Sequence, residues 1–184
     1  MNRFQILIIV VSAGLASSAS AALPGPGFRP LPGSAVEQQT YLRSRALAVQ
    51  LVREAQPTLD YADRSLARRV IDELASARFL VSTDRQSRQL CQSRRYSLFV
   101  NAARPDVIHV CDDVRPHARR PDADAVSRLA QGFVHEAVHL AGDMDECVAM
   151  DFELAVMRRT IGIRSQGSLI SYGAQCRRRG LGAR

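Results

Sequence analysis

The 184-residue sequence predicts one α+β domain, mainly helical, with a small and mostly antiparallel sheet packed on a helix that carries a His-Glu-x-x-His motif. Three observations lead there. Apolar residues recur at helical spacing in several long stretches, with Ser, Thr or Asp before them and Pro or Gly after. Between residues 78 and 112 that period gives way to short β-prone runs set off by polar residues and Pro105. Apolar and charged fractions of 46% and 23% match an ordinary globular chain, which excludes a wholly disordered protein. No apolar stretch reaches the roughly 18 to 20 residues of a membrane-spanning helix, which excludes a polytopic membrane protein.

The elements follow in order. Asn2 and Arg3 precede an apolar run from Phe4 to Leu15, and small residues then supply an Ala-x-Ala site at Ala19 to Ala21. Residues 1–22 therefore read as a secretory signal peptide, so the protein is expected to be secreted or periplasmic. Residues 23–34, rich in Pro and Gly, read as a linker unable to hold helix or sheet, and residues 35–184 as the folded domain. A first helix is expected from Ala35 to Gln56, with Val36, Leu42, Leu47 and Leu51 inward and Pro57 as its stop. A second should run from Thr58 or Asp60 to about Ala77 on Leu66, Val70, Ile71 and Leu74. Arg78 to Val81, Tyr96 to Asn101 and Val107 to Cys111 are the expected strands, joined by hairpins. Pro116 and Pro121 bound an Arg/His-rich loop, a third helix follows from Asp122 to Ala141, and a fourth from Asp145 to Thr160.

Export decides how the four cysteines are read. In an oxidising compartment an even number signals disulfides, and Cys91 with Cys111 and Cys147 with Cys176 is the favoured pairing, because each links segments close in sequence. The net charge of +7 comes from 25 arginines and no lysine. These are scattered among acids without interleaved aromatics, so an anionic cell-envelope surface is a more natural partner than nucleic acid, which is not expected.

The chemistry is expected in the third helix, at His135-Glu136-Ala137-Val138-His139. Residues four apart on a helix lie one above the other about 6 Å along its axis, so both imidazoles can reach one metal ion. Glu136 sits one step round, placed to take a proton from a metal-activated water. Zinc (Zn2+) is the expected ion and asks for a third protein ligand. Glu146, opening the next helix after Gly142, is favoured; Asp145 and Asp143 are the alternatives, Asp145 otherwise orienting a ligand histidine and Asp143 capping the helix. Tyr172, His117 and Arg115 are candidates for steadying a developing oxyanion, and His109 reads as structural.

HEAVHLAGDMDEC after the strand-like VIHVCDD resembles the small secreted zincin-type (HExxH) zinc metallopeptidases of bacteria, over roughly residues 94 to 160. The resemblance implies a zincin-like fold, zinc held by His135 and His139, and Glu136 as general base in peptide-bond hydrolysis. Glu146 as third ligand would be gluzincin-like, Asp145 snapalysin-like and Asp143 aspzincin-like. The chain lacks both the downstream NExxxD of thermolysin-like enzymes and the GTxxD of deuterolysins. The expected substrate is a protein or peptide. A non-catalytic exported protein that binds zinc or the envelope is one alternative, and a cell-wall peptide hydrolase another.

Overall fold

The computed structural model describes residues 28–30, 34–94, 97–101, 104–120, 122–161 and 176. The expected signal peptide, Tyr172 and most of the segment after Ile161 lie outside them. Among the described residues, six α-helices and four strands are ordered β1 (Phe28–Pro30), α1 (Ala35–Ala55), α2 (Tyr61–Ser76), β2 (Arg78–Ser82), α3 (Arg85–Arg94), β3 (Leu98–Asn101), β4 (Arg104–Val110), α4 (Arg115–Ala118), α5 (Ala123–Leu140) and α6 (Glu146–Thr160). No helix among the described residues is long and apolar enough to cross a membrane.

The α+β class holds. The sheet runs β1-β2-β4-β3, with β1 antiparallel to β2, β2 parallel to β4, and β3 antiparallel to β4. Along β2, β3 and β4 the side chains alternate between two apolar clusters. Phe79, Val81, Val100, Ile108 and Val110 belong to the main core with α1, α2, α5 and α6, whereas Leu80, Phe99, Val107 and Cys111 form a second cluster with Cys91 of α3. Both faces of the sheet are thus covered, so the inner strand β2 buries every residue after Arg78.

Five expectations need correction. The presumed linker supplies β1, whose residues Phe28, Arg29 and Pro30 register with Ser82, Val81 and Leu80. At a sheet edge proline's missing N–H costs no ladder bond on the open side. The polar stretch after β2 is helix α3, opened by Asp84, whose carboxylate accepts the Ser87 N–H at 2.8 Å. This helix carries the chain across the sheet, so β2 pairs in parallel with β4 instead of joining β3 through a hairpin, whereas β3 and β4 pair antiparallel as expected. Finally, the Arg/His-rich loop contains the short helix α4, and α1 buries a different face from the one expected.

That face comprises Glu37, Thr40, Tyr41, Ser44, Ala48, Leu51, Val52 and Ala55, while Val36 and Leu42 are exposed. Apart from the Tyr41 hydroxyl, which is buried without a hydrogen-bond partner, its polar members are paired. Thr40 and Ser44 each donate a hydroxyl hydrogen bond to the carbonyl four residues back, at 2.8 Å, and the Glu37 carboxylate meets the Arg115 guanidinium at 2.8 Å. Tyr41 can then join Phe79 and Phe133, whose ring centroids lie 6.2 and 4.8 Å apart as Tyr41–Phe133 and Phe79–Phe133. Such pairs add about 0.5 to 1.5 kcal/mol each beyond area burial. They fix α5 two residues before its first motif histidine.

Both expected disulfides are present. Cys91–Cys111 ties α3 to the end of β4, and Cys147–Cys176 ties the first turn of α6 to the C-terminal segment, with Cα separations of 5.8 and 5.3 Å.

Candidate metal centre

Helix α5 begins with Asp122 as N-cap, accepting the Ala125 N–H at 2.7 Å, and ends in a Schellman turn. The Asp143 N–H donates to the Val138 carbonyl at 3.2 Å and the Gly142 N–H to the His139 carbonyl at 3.0 Å, with Gly142 at φ +95°. Only glycine takes such a conformation without strain. The turn reverses the chain, so that the Asp143 backbone carbonyl lies 2.7 Å from Nδ1 of His139 and α6 starts beside α5.

The first turn of α6 then presents Glu146. Its Oε2 lies 3.0 Å from Nε2 of His135 and 3.4 Å from Nε2 of His139. Ligand atoms of His135, His139 and Glu146 all fall within 4.8 Å of one another, a group able to hold a metal ion. Neither Asp143 nor Asp145 belongs to it. Asp145 is the N-cap of α6, accepting the Cys147 N–H at 2.8 Å, and Asp143 accepts the Asp145 N–H at 3.0 Å. The expected division of labour is therefore reversed: Asp145 caps the helix, and the Asp143 side chain supports the cap.

Sequence periodicity places His135, Glu136 and His139 on an open side of α5; the structure buries them, at 6%, 6% and 3% exposure. Strand β3 and helix α6 both pack on α5 there. Close approach of β3 uses Gly132, where an added Cβ would come 2.7 Å from Cδ1 of Leu98.

The donor set suits a cation. With Nδ1 of His139 facing a carbonyl, that nitrogen carries the proton, and Nε2 offers a bare lone pair. This Nε2 is buried without a hydrogen-bond partner, and the nearest carboxylate oxygen brings another lone pair. A metal ion resolves that conflict. Without one, a proton substitutes at His135. Burial pulls its pKa down, but hydrogen bonds to Glu146 and Glu153 and the charge on Glu136 outweigh this and hold it at about 10. Burial raises Glu146, but the hydrogen bond to His135 and the neighbouring His139 ring outweigh this and bring its carboxyl down to about 2. Burial dominates for Glu136 and lifts it to about 7, and its Oε2 has no hydrogen-bond partner.

Nothing in the sequence reading points to Glu153. It is wholly buried on α6, with Oε2 at 3.2 Å from Nδ1 of His135 and Oε1 accepting from Nε2 of Gln131 at 2.6 Å. Its available signal was a glutamate at the centre of the apolar face of α6, seven residues after Glu146. Of the expected oxyanion candidates, Arg115 is engaged by Glu37, His117 is exposed, and Tyr172 is not among the described residues. His109 stacks on Phe99 at 4.6 Å in the sheet. Comparison of the chain with protein-family profiles, curated proteins and solved structures finds no match.

Proposed function

We propose that the chain is an exported zinc-dependent metallopeptidase that hydrolyses peptide bonds, with Glu136 as general base. The observation that carries this reading is the convergence of His135, His139 and Glu146 beside a buried, unpaired carboxylate oxygen of Glu136. Two imidazole nitrogens and one carboxylate oxygen are a typical donor set for catalytic zinc, which leaves a coordination position open. Zinc supplies a Lewis acid that polarises the scissile carbonyl and acidifies water. Glu136, with a pKa pushed to about 7 by burial, takes the proton of the attacking water on Oε2 and passes it to the departing amine nitrogen. Among the described residues strand β3 is an edge of the sheet beside this helix, and an extended substrate could pair along its outer side. The leader-like residues 1–22 and the two disulfides support secretion or residence in the periplasm.

Glu136→Gln tests the proposal. Purified protein should carry near-stoichiometric zinc by elemental analysis, and the variant should keep the zinc while hydrolysis of a mixed peptide library falls by about 10²- to 10⁴-fold. Wild-type protein without zinc, or a variant with undiminished hydrolysis, would refute it. Cleavage of purified peptidoglycan but not of an unstructured protein would assign the same chemistry to cell-wall peptides.

A further inference from the structure

Helix α6 holds the His135 ring at both nitrogens. Glu146 and Glu153 are seven residues apart, two turns along one helix face, and they meet Nε2 at 3.0 Å and Nδ1 at 3.2 Å. The second contact is itself braced. Gln131 stands one turn before His135 on α5, and its amide donates to the other oxygen of Glu153 at 2.6 Å, so α5 and α6 are joined through Gln131, Glu153 and His135. A glutamate with no solvent exposure in the middle of an apolar face is costly unless its partners justify it.

We propose that Glu153 is a positioning residue for the metal centre: held by Gln131, it accepts the Nδ1 proton of His135 and so turns a bare Nε2 toward His139 and Glu146. His139 has its own acceptor, the Asp143 carbonyl, so both rings present the same tautomer to one point. The two acceptors differ in kind, since a carboxylate raises the basicity of its imidazole more than a neutral carbonyl does. His135 is therefore the stronger donor of the two, and Glu153 sets how tightly the ion is retained without touching it. This inference rests on the metal-binding part of the proposed function, not on its peptidase part.

Glu153→Gln keeps the shape and an amide oxygen for Nδ1 but removes the charge, and the Gln131 amide can turn to pair with it. Zn2+ affinity, measured by competition with a chromogenic chelator, should fall about 10- to 100-fold while circular dichroism stays unchanged. Long-range ¹H–¹⁵N spectra of the zinc-loaded wild type should show the His135 proton on Nδ1. If Glu153→Gln folds poorly, the exchange variant Gln131→Glu/Glu153→Gln retains the buried charge and moves it off the imidazole; it should show the same loss. Affinity within about twofold of wild type in a folded variant, or an Nε2–H tautomer at His135, would overturn the proposal. A wild type that fails to bind Zn2+ would overturn the metal centre itself, a different and distinguishable result.

Discussion

Replacing Glu146 and Asp145 by alanine, one at a time, separates a metal ligand from a helix cap. Both acids lie at the start of α6, yet Asp145 spends its carboxylate on the Cys147 N–H, whereas Glu146 extends to the two Nε2 atoms. Loss of an N-cap costs about 1 kcal/mol, which for a chain of this size lowers Tm by about 2 to 4 °C. Bound metal adds RT ln(1 + [L]/Kd), about 4 kcal/mol at a thousandfold excess over Kd, or roughly 8 to 16 °C. Thermal unfolding with and without Zn2+ reads both terms. Asp145→Ala should start lower and keep most of the zinc increment. Glu146→Ala removes one acceptor of the buried His135 proton, so its metal-free Tm should also fall, by an amount limited by the one-third exposure of the acid, but the zinc increment should nearly vanish. An increment lost in Asp145→Ala and kept in Glu146→Ala would refute this assignment.

Two other outcomes follow from the same geometry. Cys147 is the neighbour of Glu146, and its disulfide closes a sequence separation of 29 residues, so Cys147→Ala/Cys176→Ala should cost about 3 to 4 kcal/mol and weaken zinc binding together; unchanged zinc affinity at reduced Tm would show that the latch stabilises the fold but not the ligand. In the metal-free chain, His135 is raised to about 10 and Glu136 to about 7, so the stability each contributes is complete below its unfolded pKa and is lost as pH rises through those values. Glu146, lowered to about 2, contributes above its unfolded pKa and fails only as pH falls toward 2. Zinc must displace the His135 proton, so its affinity should tighten by about tenfold per pH unit between pH 6 and 8, with about one proton released in calorimetry across buffers of different ionisation enthalpy. A pH-independent Kd in that window would contradict it.

The site was legible in the sequence to the extent that it is local. His135 and His139 share a face because four residues make about one turn, Gly142 must end the helix because its φ of +95° suits no other residue well, and Glu146 follows within reach. What escaped depends on partners remote in the chain. Val36 and Leu42 of α1 read as inward only if burial is equated with apolarity; Thr40 and Ser44 hide their hydroxyls on carbonyls of their own helix, and Glu37 is buried against Arg115, 78 residues further along the chain. α3 has no apolar stripe to announce it, since Cys91 carries its inward face through a covalent bond to Cys111. Parallel pairing of β2 with β4 depends on that helix, so it was equally hidden.

Glu153 is the instructive case, because periodicity did mark its position. Among Ala149, Met150, Val156 and Met157 it occupies a core site, where an acid should be excluded on hydrophobic grounds. A buried acid in a core stripe implies a buried donor opposite, and the motif helix already offered one. Each imidazole that gives Nε2 to a metal has an Nδ1 proton to place, so two motif histidines demand two acceptors. The Schellman turn after His139 supplies one from its own backbone. His135 lies a turn earlier, where every carbonyl is engaged in the helix ladder, so its acceptor has to come from another element. Glu153, the acid on the core face of α6, meets that requirement.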